Sequence, residues 1–288
     1  MKIVIGSVLV VACFGFACSY KPNVRSNEGS LESKSESVEE ALPSEQVIDF
    51  EGVSFTYDPR VFGDVKKEVV PERKLEDPTH KPDYVAPKCI QFEFEFGRKD
   101  SSNARIAVYP LDRFDDAYAI SPEMVKYIND HIAGLRKALI NSSFRLDHEI
   151  PHLEYRDAFD VLYAKVRDFD FPSGNGIIFV TYWGIEPELI SNRNLIYRFE
   201  GITADGKFYV TAETPVSVAF LPDGYTEEFE GYTYDNLYKG NSNSTDSEAR
   251  IEKYRNSISK RLEKLNSTDY SPHLEKFEAI ISSLKINK

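Results

Sequence analysis

The chain has 288 residues, three cysteines and a formal net charge of −12 at pH 7. A chain this acidic repels phosphate groups, so unassisted binding to nucleic acid or to anionic lipid surfaces is excluded as a function. The length is sufficient for one hydrophobic core, and single domains of this size are common among β-rich folds.

The N-terminal residues have the composition of an export signal. One charged residue, Lys2, precedes an uncharged apolar stretch at residues 3–17. This stretch has the length of a secretory signal and is shorter than the roughly 18 to 20 apolar residues of a transmembrane helix. Residues 1–17 are therefore predicted to be a signal peptide that is removed.

A cysteine directly follows this apolar stretch. Ala17 before Cys18 resembles the lipobox of bacterial lipoprotein precursors, in which the cysteine receives a diacylglycerol and becomes the new N-terminus. Gly15 and Phe16 stand where that family prefers an aliphatic and a small residue, and the residues before Cys13 fit the local pattern better. Cys18 is the predicted lipid attachment site because cleavage at the alternative, Cys13, would leave a very short signal.

The lipobox resemblance implies a protein anchored to a membrane of the cell envelope. Acyl chains rather than charge would hold it there, and stable anchoring needs the multiple chains that a lipoprotein cysteine carries. Ser19 follows the cysteine, whereas retention at the inner membrane usually uses an aspartate at that position. An outer-membrane location is therefore implied if the source is Gram-negative.

The processed chain is predicted to consist of a tether and a domain. Residues 18–46 are rich in Ser, Glu, Lys, Asn and Pro, so they are predicted to be disordered and to act as a flexible tether. Residues 47–288 contain nearly all the aromatic residues and are predicted to form one globular domain. Cys89 would be its single cysteine, so core burial rather than an intramolecular disulfide must stabilise it.

Alternating apolar and polar residues predict the first strands. Residues 53–57 and 90–96 alternate clearly, and residues 105–109 form a shorter candidate. Residues 63–87 contain several prolines, which are unsuited to a helix interior or a central strand. This segment is predicted to be a surface loop.

The first helix is predicted from its start signals. Ser121 is a suitable N-cap, Pro122 suits the first helical position, and Glu123 complements the helix dipole. Apolar residues then recur on one face. They are Met124, Ile128, Ile132, Leu135 and Leu139.

Two hairpins are predicted after this helix. Residues 159–169 pair with residues 176–183 around a Pro-Ser-Gly-Asn turn. Residues 195–200 pair with residues 207–214 around a turn that contains Asp-Gly, one of the better hairpin signals.

The C-terminal part is predicted to be a polar loop followed by two helices. The loop covers residues 221–247, one helix begins with a capping box at Thr245 and Glu248, and the other begins at Ser271. Together with the hairpins, these helices predict a single-domain α+β fold. Its antiparallel sheet would have helices packed on one or both faces.

Three segments of the predicted domain resemble other proteins. They are Gly-Val-Ser-Phe-Thr-Tyr-Asp-Pro at residues 52–59, the hairpin sequence at residues 194–210, and Phe-Glu-Ala-Ile-Ile-Ser-Ser-Leu-Lys at residues 277–285. This combination looks like a group of uncharacterised secreted bacterial proteins. The two ends also resemble, more faintly, the PsbP-type α/β/α sandwich, which implies an antiparallel sheet. Neither resemblance implies a catalytic residue.

One short pattern matches a zinc-protease motif. His148, Glu149 and His152 fit H-E-x-x-H, which needs both histidines on one face of a helix. Pro151 is incompatible with that helix, so the segment is predicted to be a polar surface loop. Residues 168–175 resemble the start of a calcium loop but are predicted to be a tight hairpin. No metal and no cofactor are expected.

The functional hypothesis is a non-catalytic binding domain. Tyr182 and Trp183 end a strand near the predicted sheet margin, so they are candidates for a ligand cleft or a partner patch. The sequence contains no nucleophile motif and no phosphate-binding glycine loop, and Cys89 is predicted to be a small core residue. We expect a protein partner or a small ligand in addition to the membrane contact.

The alternative hypothesis is a hydrolase with an active site built from loops. It requires two or more histidines to converge with acidic residues in one cleft. The candidates are His80, His131, His148 and His152.

Overall fold

The structure is a computed structural model that describes residues 45–77, 85–95, 103–141, 150–154, 159–184, 188–239 and 245–288. All of these residues belong to one unit of the chain, Leu42–Lys288. Cys13, Cys18 and the expected tether up to residue 44 lie outside the described residues.

The described residues form fourteen strands and five α-helices. The strands are β1 (Gln46–Phe50), β2 (Val53–Tyr57), β3 (Val65–Val70), β4 (Cys89–Phe94), β5 (Ala104–Pro110), β6 (Phe159–Phe171), β7 (Gly174–Gly184), β8 (Leu195–Thr203), β9 (Phe208–Pro215), β10 (Ser217–Val218), β11 (Glu228–Phe229), β12 (Tyr232–Thr233), β13 (Tyr270–Ser271) and β14 (Lys285–Ile286). The α-helices are α1 (Pro59–Phe62), α2 (Phe114–Ala117), α3 (Pro122–Ile140), α4 (Thr245–Lys264) and α5 (Leu274–Ser283).

A seven-stranded sheet forms the centre of the fold. Its strand order is β3-β4-β5-β9-β8-β7-β6, and every neighbouring pair is antiparallel. The predicted single-domain α+β fold with an antiparallel sheet is therefore confirmed. Among the described strands, β3 and β6 are the two edges of this sheet.

Helices cover both faces of the large sheet. One face packs against α4, α5 and the small sheet β1-β2-β14. Aromatic rings fill this core, and Phe55 of β2 contacts Phe92 of β4 edge-on at 5.0 Å between centroids. The other face packs against α3, which contributes buried Ile128 and Leu135. Each such apolar side chain stabilises the fold by about 1.5–3 kcal/mol relative to exposure.

The first long helix and both long hairpins match their predictions. α3 begins at Pro122, and the Ser121 hydroxyl accepts a hydrogen bond from the Met124 amide at 3.4 Å. The hairpin of β6 and β7 and that of β8 and β9 enclose the predicted turns. β6 also contains two bulges, and Lys165 has a φ of 57° beside the second.

Three parts of the chain differ from the sequence prediction: two predicted loops contain strands, and the last helix begins later. The expected surface loop at residues 63–87 contains β3, because its prolines start only at Pro71 and three valines precede them. The expected loop at residues 221–247 contains the short β11-β12 pair. The last helix begins at Leu274 rather than Ser271, because Tyr270 and Ser271 pair with β10 instead. Within the described ranges, no helix is long and apolar enough to span a bilayer.

Candidate functional site

A row of alternating charges crosses the α3 side of the large sheet. Its members are direct cross-strand partners, in the order Arg198, Glu213, Arg105, Glu93 and Lys66, on β8, β9, β5, β4 and β3. Direct partners point to the same face, and opposite charges at such positions attract. Side-chain exposure is 1% at Arg198 and 60% at Lys66, so the row runs from the core to the solvent.

The buried end of this row is a hydrogen-bonded cluster around Glu200. Arg198 Nε and Thr211 Oγ1 donate to Glu200 Oε1, and Tyr209 Oη donates to Glu200 Oε2. Burial raises the pKa of Glu200 to about 7, although Arg198 and Tyr209 act in the opposite direction. Burial alone would lower the pKa of Arg198, but the charges of Glu200 and Glu213 raise it.

The guanidinium of Arg198 lies between a carboxylate and an indole. Arg198 Nη1 is 3.6 Å from Glu213 Oε2, and the guanidinium carbon is 4.7 Å from the centre of the Trp183 ring. Such cation–π contacts stabilise a desolvated charge. Both terminal nitrogens of Arg198 are buried, and neither has a hydrogen-bond partner among the described residues.

Residues 150–154 cover this cluster. Ile150 and Leu153 are buried, and Glu154 accepts hydrogen bonds from Tyr109 Oη at 2.5 Å and from Arg105 Nη2. The loop predicted for residues 148–152 is described from Ile150 onwards, where it forms no helix, as predicted, but Ile150 is buried rather than exposed at the surface. The sequence analysis did not predict the ion pair between Arg105 of β5 and Glu154 of the covering segment.

A glycine on α3 lets this covering segment approach the helix. A β-carbon added at Gly134 would lie 3.1 Å from Pro151 Cγ, closer than ordinary van der Waals contact. The amide of Leu153 donates to Tyr209 Oη at 3.3 Å and ties the segment to β9. Residues 150–154 are thus packed between α3 and the sheet.

The histidines that the hydrolase hypothesis requires are only partly described. His80 and His148 lie outside the described residues. His152 contacts Trp183 edge-on at 5.7 Å between ring centroids, and half-buried His131 lies against Tyr127 of its own helix. Among the residues that the structure describes, no group of three or more His, Cys, Asp and Glu side chains is arranged to hold a metal ion.

Tyr182 and Trp183 point to opposite faces of the large sheet. Tyr182 is 1% exposed on the α4 and α5 side, and its hydroxyl donates to Glu188 at 2.8 Å. Burial raises its pKa. Trp183 is half-buried on the opposite side, where it covers Arg198. These two residues therefore do not form one common surface.

Cys89 is a core residue, as the sequence predicted. It is 4% exposed on the α3 side of β4. Burial raises the pKa of its thiol to about 11. The thiolate form that a nucleophile requires is disfavoured at neutral pH.

A groove of about 620 Å³ lies between the edge strand β6 and the helix α4. This volume falls in the range of ligand pockets, about 300–1,000 Å³. Residues 161–163 of β6 form one wall. Six residues of α4 form the other. They are Glu248, Ile251, Glu252, Arg255, Asn256 and Ser259.

The groove is closed at one end by contacts between α4 and β6. Ser259 Oγ donates to the carbonyl oxygen of Tyr163. Beyond it, the amide of Lys165 donates to Glu263 Oε2 at 2.5 Å, and Lys165 Nζ donates to the carbonyl of Leu265 at 2.5 Å. The left-handed backbone at Lys165 turns that residue towards the helix, so the two walls are held together there.

Arg255 is the basic residue of the groove wall. Its side chain is half-buried, and its Nε is buried without a hydrogen-bond partner among the described residues. No ion pair joins it to a described acidic side chain, although Glu248 and Glu252 lie on the same wall. A ligand with an acceptor group can therefore interact with this guanidinium.

The sequence contained only weak signals for both features. Arg198, Glu200 and Glu213 occupy alternate positions of predicted strands, a pattern that normally indicates a face in water. Along α4, Glu248, Glu252 and Arg255 form the usual polar face of an amphipathic helix. The strand pattern does not reveal that residues 150–154 cover the charged cluster. The helix pattern does not reveal that a groove lies beside the polar face of α4.

Comparison of the chain with protein-family models, curated proteins and solved structures found no match. Both features are therefore interpreted from their own geometry. The charges of the cluster bond to one another, which is typical of a structural role. The groove presents a guanidinium and an edge strand to the solvent, so it is the candidate functional site.

Proposed function

We propose that the protein is a lipid-anchored, non-catalytic binding domain of the cell envelope, and that the groove between β6 and α4 is its ligand site. The observation that carries this proposal is the groove itself, with Arg255 in its wall. The anchoring part rests on the sequence around Cys18. The ligand would meet the domain at the sheet edge.

The chemistry of the buried cluster favours a structural role over a catalytic one. Glu154 and Glu200 are 7% and 0% exposed, and both accept hydrogen bonds from an arginine and a tyrosine of the cluster. A general acid or base must reach the proton that it transfers. These carboxyl groups are instead engaged in holding β5, β8 and β9 together.

A fragment screen tests the proposed site. Saturation-transfer NMR would be recorded for a library of small carboxylates, amides and amines against the purified full chain in detergent micelles. Ile251→Trp fills the groove from the α4 wall, and we expect it to abolish the signals of the fragments that bind there. Lys253→Trp adds the same side chain at an exposed position of α4 outside the groove wall.

The two variants separate the possible outcomes. Fragments that bind the wild type and Lys253→Trp but not Ile251→Trp support the groove as the site, provided that all three proteins unfold at similar temperatures. An identical set of bound fragments for all three proteins, or no bound fragment, would contradict the proposal.

A further inference from the structure

We infer that the occupant of this groove is an extended polypeptide segment that adds to β6 as an extra strand and places a carboxylate on Arg255. The inference rests on the proposed function, since it names the ligand class of the same groove. Three features of the groove carry it: the edge strand, the length of the helical wall, and the distribution of charge.

The edge strand provides the backbone for pairing. β6 ends the strand order of the large sheet, and residues 161–163 form a wall of the groove. Edge strands present backbone N–H and C=O groups that can pair with an additional strand. Many peptide-binding domains recognise their ligands by strand addition of this kind.

The opposite wall has the length of a short extended peptide. The groove residues of α4 extend from Glu248 to Ser259. At 1.5 Å per residue this helical stretch is about 16 Å long. An extended chain rises about 3.3 Å per residue, so about five peptide residues would lie alongside it.

The contacts at Ser259 and Lys165 limit where the peptide can lie. The carbonyl oxygen of Tyr163 already accepts a hydrogen bond from Ser259 Oγ, and the amide of Lys165 already donates one to Glu263. Strand addition therefore has to stop at Tyr163. The added segment would lie along the groove face of α4 between Glu248 and Ser259 and would not continue past Ser259.

The charges of the wall favour a peptide with both signs of charge. Arg255 has no ion-pair partner among the described residues, and a carboxylate matches the guanidinium fork with strong, charge-assisted hydrogen bonds. Glu248 and Glu252 are exposed on the same wall and favour a basic residue beside that carboxylate. Nucleic acid would be repelled by these two carboxylates.

The other edge of the sheet has a different character. β3 carries exposed Lys66 and Lys67, and no described helix wall stands beside it. Lysines on an edge strand oppose the addition of further strands. β6 also carries a lysine, Lys165, and two bulges, so the choice of β6 rests on the groove beside it and on Arg255 rather than on its lysine content.

A display experiment tests the peptide inference. Random heptapeptides would be selected on the immobilised full chain, and the dissociation constants of the enriched peptides would be measured by calorimetry. We expect enriched peptides to carry Asp or Glu between β-branched or aromatic residues. Arg255→Glu should weaken binding by about tenfold or more, whereas Lys253→Glu, the same charge reversal outside the groove wall, should change it by less than about twofold.

Backbone N-methylation separates strand addition from other modes of binding. A single N-methyl group removes one backbone donor and obstructs pairing, so methylation at the peptide's central positions should weaken binding by about tenfold at one or more of them. Insensitivity to methylation at every position would overturn the inference. So would peptides whose affinity is unchanged in Arg255→Glu.

Failure of the inference can be distinguished from failure of the proposed function. If no peptide is enriched while fragments still bind in an Ile251-dependent manner, the groove is a ligand site and the polypeptide class is wrong. If neither peptides nor fragments depend on Ile251, both proposals are contradicted.

Discussion

Arg198 and Glu213 are direct cross-strand partners on β8 and β9, and 3.6 Å separates Arg198 Nη1 from Glu213 Oε2. Arg198 also donates through Nε to Glu200 on its own strand. One buried guanidinium therefore neutralises carboxylates on two strands at the middle of the sheet. Removing it leaves buried negative charge without its main partner.

We expect Arg198→Met to reduce the free energy of unfolding by about 3–5 kcal/mol. The double variant Arg198→Met with Glu200→Met should lose less than the sum of the two single variants, because the second change removes the stranded carboxylate. Urea denaturation measures all three. Lys66→Met, at the exposed end of the charge row, should leave the free energy of unfolding close to that of the wild type, because solvent screens the exposed pair. Additive losses would show that the pair is not coupled.

Glu200 gives the stability a pH dependence of known sign. Its pKa in the folded protein is about 7, above the 4.5 of a solvated carboxyl, because it is buried. The folded state therefore binds this proton more tightly, and the stability that it contributes is present below about pH 4.5 and lost as the pH rises through about 7.

We expect the stability of the wild type relative to Glu200→Gln to fall between about pH 5 and about pH 8. Denaturation curves of both proteins across this range measure the difference. Glu68→Gln removes a carboxyl at the exposed end of the same sheet face and is the matched control. A difference that stays constant or rises with pH would contradict the assignment.

Gly176 is required where β7 passes the ring of Phe199. A β-carbon there would overlap that ring and lie 2.7 Å from the carbonyl oxygen of Glu200. We expect Gly176→Ala to destabilise the protein by about 1–3 kcal/mol. Gly224→Ala, where nothing lies within 4 Å of the added carbon, should stay within about 0.5 kcal/mol of the wild type. Similar unfolding temperatures for the two variants would show that β7 relaxes freely at this position.

The lipid anchor can be tested through its thiol. Because the diacylglycerol attaches to sulfur, Cys18→Ser should move the protein out of the detergent phase or leave the precursor uncleaved. Phase partitioning and immunoblotting measure both effects. Cys13→Ser is the control and should change neither; release by Cys13→Ser alone would place the anchor at Cys13.

Much of the fold was predictable because local signals agreed with the tertiary structure. The cap at Ser121 and the apolar periodicity after it define α3, and the period-two alternation in β4 marks its buried face. β3 was missed because the prolines that begin at Pro71 dominated the interpretation of the whole segment. The buried role of Arg198 was missed because it depends on partners from another strand.

The groove was not predictable for a related reason. Its walls, residues 161–163 and the face of α4 that contains Arg255, are far apart in the sequence and meet only in the folded chain. Edge position is a property of strand order, which the sequence pattern does not encode. The sequence predicted that β6 pairs with β7. It did not predict that the other side of β6 is an edge of the sheet without a further strand.

The most direct test of the groove is hydrogen exchange with and without the tightest ligand obtained from the fragment or peptide selections. Amides at residues 161–163 and along the groove face of α4 should exchange more slowly when the ligand is bound, because a ligand in the groove covers or pairs them. Amides of β3, the other edge of the sheet, should be unaffected. Slower exchange in β3 with no change at residues 161–163 would contradict the assignment of the groove as the ligand site.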